Sequence, residues 1–292
     1  MANWLRLHLP KLMLSPSFAI SIFFVYGFIL YTAYISMTKS KMLPNLSRFI
    51  GLDNYPRLWK TLNWQVSLDN LFIFGSLYIL ICGLLGLFLA ILLDQKIRAE
   101  GFLRTTYLYP MALSFIVTGT AWKWFLNPGF GLEKSMHAWG FENFKFDWLV
   151  NSEMAIYTIV MAAVWQTSGF VMAMFLAGLR GIDGEQIKAA QLDGASAFQT
   201  YWRIIIPQLH AVFLSAFVVL AHMAIKSYDL VIALTGGGPG RATEMPATFM
   251  YSYTFARNEM GMGAASAMVM LTTIAAIIVP YLYAETRGKR NG

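Results

Sequence analysis

Residues 181–207 read GIDGEQIKAAQLDGASAFQTYWRIIIP, a polar segment between two long apolar runs. Asp183 and Ser196 each precede a Gln by three residues, which is the spacing of a capping box at the start of a helix. Gly194 lies between them and suits the left-handed conformation that ends a helix. Pro207 fits the first turn of a following helix, because the N–H group that it lacks has no partner there. The segment therefore predicts a helix, a turn, a second helix and then an apolar helix.

The composition predicts that the rest of the chain lies in a membrane. The 292 residues are 57% hydrophobic and 13% charged, whereas soluble domains are about 25% charged. Six mainly apolar runs, each long enough to cross about 30 Å of hydrocarbon as a helix, lie at about 12–38, 70–93, 105–126, 154–179, 205–234 and 260–284. Lipid offers the backbone no hydrogen-bond partner, so these runs must be helical. The predicted fold is an all-α polytopic membrane protein, one domain over residues 1–292 with six transmembrane helices and a cytosolic helix-turn-helix loop between spans four and five.

Residues 181–207 resemble the EAA loop of the permease subunits of bacterial ABC importers. That signature is Glu-Ala-Ala, three further residues, Gly, nine further residues, Ile, any residue and Leu-Pro. The positions in register with it are Ala189, Ala190, Gly194, Ile204 and Pro207. Lys188 stands where Glu is usual and Ile206 where Leu is usual, so the usual acidic contact with the ATPase cannot be assumed.

The resemblance implies that this loop couples the chain to a cytosolic ATPase. The residues implicated in coupling are Glu185, Lys188, Ala189, Ala190, Asp193, Gly194, Ile204 and Pro207. The alternative interpretation is an ordinary cytosolic loop whose two helices happen to be capped.

Similarity to the carbohydrate-uptake family of ABC permeases extends from about residue 70 to the C-terminus and includes the Gly-rich loop 235–240. It implies four kinds of partner: a second related permease, an ABC ATPase dimer, an external sugar-binding protein and membrane lipid, with no nucleic acid. It also implies that the chain binds no cofactor and is no enzyme, since ATP and Mg are used by the ATPase. Residues 246–251 and 261–267 look most like permeases for glucose and mannose, so a monosaccharide is expected. Another sugar or a glycerol-phosphate-type solute is the alternative.

The resemblance also implies which residues line the sugar path. They are Trp165, Thr167 and Phe170 in span four and Leu220, Met223, Ala224 and Ser227 in span five. Positions 220, 223, 224 and 227 have the spacing of one helix face, and an indole ring suits the C–H face of a sugar. Plain helix packing through small residues is the alternative.

The orientation follows from basic residues, which favour the cytosolic side of a membrane. Those that agree are Arg6, Lys11, Lys96, Arg98, Arg104, Arg287, Lys289 and Arg290. Both termini and the EAA-like loop are therefore predicted in the cytosol, in a bacterial inner membrane. The loop after the first span conflicts with this prediction, because its basic residues would lie outside. They are Lys39, Lys41, Arg48, Arg57 and Lys60.

Two ionisable residues, Lys226 and Asp229, lie in the fifth predicted span. Their separation of three residues predicts an ion pair on one helix face near the outer interface, and direct contact with substrate is the alternative. The Gly-rich loop 235–240 lacks the Gly-Lys-Ser/Thr of a phosphate-binding loop, so it predicts a turn that closes the span.

Other classes of function have little support in the sequence. The single cysteine, Cys82, excludes a disulfide within the chain, and no Cys/His spacing typical of a metal site occurs. An intramembrane enzyme would need polar catalytic groups at the ends of several spans, and no catalytic motif is found. An ion channel would need rings of charge or a carbonyl filter, and neither is evident.

Overall fold

The computed structural model describes residues 2–95 and 97–288, which form helices and turns with one isolated β-bridge among them. The α-helices in chain order are α1 (Ala2–Ser36), α2 (Asn54–Lys60), α3 (Leu62–Asp94), α4 (Glu100–Leu108), α5 (Phe115–Phe125), α6 (Leu132–Ala138), α7 (Ala155–Arg180), α8 (Gly184–Leu192), α9 (Ala197–Thr200), α10 (Ile206–Gln208), α11 (His210–Ile225), α12 (Asp229–Leu234), α13 (Pro246–Tyr251) and α14 (Met260–Gly288). A 3-10 turn covers Tyr109–Ala112, and π-helical turns cover Tyr201–Ile205 and Ser252–Ala256.

The described chain forms two compact units. The first comprises the chain up to Thr61 together with Phe249–Leu271, and the second comprises Leu62–Thr248 together with the chain from Thr272. The prediction of a single transmembrane domain over the whole chain stays a prediction.

Helix α7 is the centre of the second unit. It packs along α3, and the two helices approach closely where Gly86 of α3 meets Val171 of α7, since a Cβ at Gly86 would lie 2.6 Å from the Val171 side chain. The core on both sides of this contact includes Phe74, Met172 and Phe175, all buried. Close packing of this kind is how helices associate in lipid, where burial of apolar surface gives little net gain.

The third predicted span, 105–126, is wrong as a continuous helix. The chain there forms α4, a 3-10 turn and α5. Pro110 lies in the 3-10 turn and lacks an N–H, and Ser114 starts α5 by accepting a hydrogen bond from the Val117 amide at 3.2 Å. Gln166 of α7 donates to the Leu113 carbonyl at 2.7 Å. An interhelical bond of this kind satisfies the backbone that a break exposes in an apolar environment.

The fifth predicted span, 205–234, is also divided. The helical run Ala197–Gln208, which comprises α9, the π-helical turn and α10, meets α11 (His210–Ile225) at 63°. Helix α12 begins separately at Asp229. Pro207 lies in the first turn of α10 as predicted. Among the described residues four helices are long and apolar enough to cross a membrane, or five with the bent pair. They are Met13–Ser36, Leu62–Asp94, Ala155–Arg180 and Met260–Tyr283. The structure does not establish the six predicted spans.

The first unit is held together by backbone bonds between the segments that follow α1. The Lys39 amide donates to the Arg48 carbonyl at 2.9 Å, and the Ile50 amide donates to the Met37 carbonyl at 2.8 Å. Buried Asn54 of α2 donates to the carbonyls of Ser36 and Thr38 at 2.8 and 2.9 Å. These bonds fix the end of α1 against α2.

The predicted orientation draws on residues that the structure covers only partly. Lys96, Lys289 and Arg290 lie outside the described residues, as do the side chains of Arg6 and Arg287. The cytosolic location of the termini stays a prediction.

Candidate functional site

A cavity of about 130 Å³ lies in the second unit where the fifth predicted span is interrupted. Helix α11 ends at Ile225, the Lys226 amide donates to the His222 carbonyl at 3.2 Å, and α12 begins at Asp229. The interruption brings three polar side chains, Lys226, Ser227 and Asp229, to the wall of the cavity. The remaining lining residues are Phe74, Tyr78, Phe115, Ala163, Met223, Tyr228 and Leu230.

Tyr78 of α3 is the polar centre of the buried side of this cavity, and the sequence analysis missed it. Its ring stacks on Phe74 with centroids 5.3 Å apart and planes 9° apart. Its hydroxyl donates to Thr167 Oγ1 at 2.9 Å and approaches Met223 Sδ at 3.8 Å. A tyrosine within an otherwise apolar run was the available signal, because a buried hydroxyl needs a partner.

The structure brings together only part of the predicted sugar path. Met223 and Ser227 line the cavity, and Thr167 reaches it through Tyr78. Leu220 and Ala224 are buried, with Ala224 facing Gly75 across the contact of α11 with α3. Ala224 thus makes a helix-packing contact, and Leu220 lines a separate, mostly apolar cavity of about 610 Å³. Whether either residue contacts a solute stays a prediction.

Trp165 and Phe170 lie away from this cavity. Trp165 is 42% exposed and packs edge-on against Trp122 at 6.0 Å. It lines a separate, mostly apolar cavity of about 640 Å³. Phe170 is half-buried against the core. The predicted helix face of 220, 223, 224 and 227 is also incomplete, because α11 ends at Ile225 and Ser227 follows it.

The predicted ion pair between Lys226 and Asp229 is not formed. Three ion pairs occur among the described residues, and neither of these side chains takes part in one. Lys226 caps the C-terminal end of α11, while Asp229 is the first residue of α12. Each charge therefore lies at the helix end whose partial charge has the opposite sign. Because the helix is interrupted between them, the spacing of three residues does not place them on one face.

The EAA-like segment has most of its predicted local structure. Asp183 caps α8 by accepting from the Glu185 amide at 2.9 Å. Ser196 and Gln199 form a complete capping box at the start of α9. Gly194 has φ +81°, so it has the predicted left-handed conformation.

One predicted capping bond in this segment is wrong. The Gln186 side chain does not return to Asp183; its Oε1 accepts a hydrogen bond from Gln208 Nε2 at 2.9 Å. Gln186 thus joins α8 to α10. Its amide side chain is long enough to bond to Gln208, which is distant in sequence, instead of to the backbone at the start of its own helix.

The surface of this segment combines charges with large exposed apolar side chains. Glu185, Lys188, Ala189 and Asp193 are exposed, whereas Ala190 is buried. Leu192 is 90% exposed and Phe198 75% exposed, and the rings of Phe198 and Trp202 are nearly parallel, 6.2 Å apart. Ile204 is half-buried.

The Gly-rich loop 235–240 forms the predicted turn. Gly236, Gly237 and Gly240 have φ values of +67°, +90° and +61°. The Thr235 and Thr243 hydroxyls are 2.7 Å apart across the loop. The loop therefore closes on itself after α12.

Comparisons with known proteins agree on one family. Residues 82–287 match the family described as the binding-protein-dependent transport system inner membrane component. The chain is 41% identical over 287 residues to a probable ABC transporter permease protein of Pyrococcus horikoshii, and the match covers 96% of each chain. It is 38% identical over 263 residues to the xylose/arabinose import permease protein of Haloferax volcanii, covering 89% of this chain and 82% of that protein.

A solved structure has a similar fold. It is the crystal structure of a bacterial alginate ABC transporter in complex with alginate pentasaccharide-bound periplasmic protein. The TM-score is 0.83 at 17% identity, over 98% of this chain and 97% of that chain. At this identity the similarity establishes the fold and carries no information about substrate.

Proposed function

The chain belongs to the family of inner membrane components of binding-protein-dependent transport systems, and we propose that it forms one half of the translocation path of an ATP-driven sugar importer. It is a multi-pass membrane protein and a permease subunit rather than an enzyme. The proposed partners are a second related permease, a pair of ABC ATPases that use ATP and Mg, and an external sugar-binding protein.

The observation that carries the sugar proposal is the cavity at the interruption between α11 and α12. Its aromatic side chains, such as Phe74, Tyr78 and Tyr228, offer apolar faces for sugar C–H groups. Ser227, Lys226 and Asp229 offer hydrogen-bond donors and acceptors on the same wall. A largely apolar lining with a few polar groups is typical of small-molecule sites, whereas the volume of about 130 Å³ is below their usual range of about 300–1,000 Å³.

We propose a monosaccharide such as glucose or mannose as the substrate, which rests on the resemblance of residues 246–251 and 261–267 to permeases for those sugars. A glycerol-phosphate-type solute is the second candidate. It is favoured by one observation, the cationic Lys226 at the cavity, since a phosphate group binds well to a cation.

The proposed coupling to the ATPase rests on the exposed surface of α8 and α9. Leu192 and Phe198 are large apolar side chains that remain exposed in an otherwise polar segment, and such a surface favours contact with another protein. We propose that this contact transmits ATPase closure to α10 and α11, through the Gln186–Gln208 bond and the chain itself. Lys188 would then meet the ATPase with a charge opposite to the usual Glu.

The test of the path is sugar uptake by the reconstituted complex with its binding protein. We expect Ser227→Leu to reduce uptake strongly, because the larger side chain fills a cavity of about 130 Å³. We expect Tyr78→Phe to reduce it less, since only one hydroxyl is lost, and Trp165→Ala to have the smallest effect. Ser76→Ala is the matched control for Tyr78, because Ser76 is exposed on the same helix and its hydroxyl donates to the Ile73 carbonyl of that helix at 3.1 Å. Wild-type uptake by both Ser227→Leu and Tyr78→Phe would exclude this cavity as the path.

The same reconstituted complex separates the two substrate candidates. Separate samples of the purified binding protein would be loaded with glucose, mannose or glycerol phosphate. The uptake of each solute by the complex would then be compared. If glycerol phosphate is the solute, we expect Lys226→Gln to raise its KM by about tenfold or more, the loss of one charge-assisted hydrogen bond. For a neutral sugar the same substitution should change KM far less.

A further inference from the structure

A second cavity, of about 410 Å³, lies within the first unit where α1 ends and α14 begins. Its walls come from residues 38–41, from α2 and from residues 257–262. Its lining is as polar as it is apolar, unlike the cavity near Tyr78. Nothing in the proposed transport path uses it.

The cavity is strongly cationic. Lys39, Lys41, Arg57 and Arg257 line it, and Glu259 is the one carboxylate among its lining residues. Four cations against one anion leave a formal charge of +3. A cluster of this kind favours an anionic ligand, because like charges that share a cavity repel until a counter-charge is bound.

The walls of the cavity are held in place before any ligand arrives. Asn54 is only 2% exposed, and its Nδ2 donates to the carbonyls of Ser36 and Thr38. Its Oδ1 accepts a hydrogen bond from the Arg57 guanidinium at 3.4 Å. Arg57 also contacts Glu259 at 3.4 Å. Preorganised guanidinium groups suit phosphate, which they can bind through two parallel hydrogen bonds.

The backbone closes the other side of the cavity. The Gly261 amide donates to the Ser40 carbonyl at 3.1 Å, and a Cβ at position 261 would overlap the Thr38 carbonyl. Arg257 stacks over the Tyr253 ring at 4.8 Å from its centroid. Side-chain contacts therefore orient Arg57 and Arg257, while Lys39 and Lys41 are exposed lysines on the segment that follows α1.

The surroundings of the cavity favour a membrane lipid as the source of the anion. It lies at the end of Met13–Ser36 and at the start of Met260–Tyr283, two helices apolar and long enough to cross a membrane. Only 6% of the most apolar 18-residue segment of Met13–Ser36 is buried. Phe49 and Trp59 on adjacent segments are more than half exposed, as aromatic residues at a membrane–water interface are. Lipid phosphates lie at the ends of membrane-spanning helices, so a lipid headgroup is the expected source of the anion.

We propose that this cavity binds the phosphate-bearing headgroup of an anionic membrane lipid. The proposal also accounts for Lys39, Lys41 and Arg57, three of the five basic residues after the first span whose charges oppose the predicted orientation. A bound lipid phosphate neutralises cations that would otherwise favour the opposite side of the membrane.

The test compares two double variants of the detergent-purified transporter complex that each lose two positive charges. Lys39→Gln with Lys41→Gln removes two cations that line the cavity. Arg48→Gln with Lys60→Gln removes two cations of the same unit that do not line it. Each complex is mixed with equal amounts of phosphatidylglycerol and phosphatidylcholine of identical acyl chains. Lipid retained on this subunit is then counted by native mass spectrometry, with and without millimolar glycerol phosphate.

We expect the wild type to retain phosphatidylglycerol in preference to phosphatidylcholine. A basic side chain near an anionic lipid contributes roughly a fivefold gain in affinity. The preference for phosphatidylglycerol should therefore fall about 30-fold in the variant of Lys39 and Lys41, and less than about threefold in the variant of Arg48 and Lys60. An absent preference, or an equal loss in both double variants, would overturn the proposal. Full displacement of the lipid by glycerol phosphate would assign the cavity to a soluble anion and would also overturn it.

Discussion

Gly194 ends α8 with two backbone bonds that depend on its left-handed conformation. Its amide donates to the Gln191 carbonyl at 3.1 Å, and the Ala195 amide donates to the Ala190 carbonyl at 3.0 Å. This pair of bonds is a Schellman motif. With φ +81° the backbone lies where side chains are rare, yet a Cβ at Gly194 would meet no atom within 4 Å. A substitution there is therefore penalised through the backbone and not through a clash.

The size of the destabilisation follows from the backbone penalty alone, because a Cβ at position 194 meets no atom within 4 Å. A residue with a Cβ in the left-handed region costs about 1–2 kcal/mol, and a β-branched residue is at the upper end. The local opening of this turn should therefore be about 5–30-fold more populated in Gly194→Val. Hydrogen exchange of the Ala195 amide measures this opening directly, and we expect its protection to fall by that factor. Gly194→Asn should lose less, because Asn tolerates this conformation.

The matched control is Gly184→Ala. Gly184 is the first residue of the same helix, a Cβ there also meets no atom within 4 Å, and its φ is not positive. We expect protection of the Ala195 amide to stay within about twofold of the wild type in this variant. If Gly194→Val also stays within about twofold, the backbone argument is refuted.

The same variant tests the proposed coupling role. With α8 misaligned, we expect Gly194→Val to reach the membrane at near-normal levels, to retain the ATPase weakly on pull-down and to lose transport. Lost protection at Ala195 together with full ATPase retention and normal transport would leave the backbone argument intact and refute the coupling role, since a mere connecting loop tolerates such a change.

In Gly169→Ala the new Cβ would overlap the Tyr107 carbonyl. We therefore expect the free energy of unfolding to fall by about 1–3 kcal/mol and the melting temperature of the detergent-purified chain to fall with it. The control is Gly83→Ala, where a Cβ meets no atom within 4 Å, and it should melt at the wild-type temperature or above it. Asn54→Leu leaves two carbonyls without their side-chain donor, which should cost about 2 kcal/mol or more, and an unchanged melting temperature would contradict the role given to this residue in the first unit. Gln166→Leu removes the donor to the carbonyl freed between α4 and α5, and a thermal melt should register a loss of about 1–3 kcal/mol.

The local features of residues 181–207 were predictable because they depend on a few adjacent residues. The capping box of Ser196 and the left-handed Gly194 follow from short-range sterics and hydrogen bonding. The Asp183 cap was also predicted, but the partner of Gln186 was not. An amide side chain can bond equally well to its own helix terminus or to Gln208, and only the approach of α10 decides between them.

The candidate site was predictable only in part, because residues from several helices form it. The resemblance pointed to Met223 and Ser227, which line the cavity, but also to Trp165, which lines another. Tyr78 is far from these residues in sequence and could not be assigned to the same cavity without the packing of α3 against α11. The path itself remains a proposal.

The sequence by itself determined that the chain is a helical membrane protein and where most of its long apolar helices lie, since apolar length and the backbone's need for hydrogen bonds suffice for that. Tertiary structure alone decided where the apolar runs are interrupted. The carbonyl exposed between α4 and α5 is satisfied by Gln166, 53 residues away. The interruption after Ile225 separates Lys226 from Asp229 and opens a cavity against α3. A helix can break within an apolar run only where a neighbouring helix satisfies or covers the freed groups, and that neighbour is known only once the chain has packed.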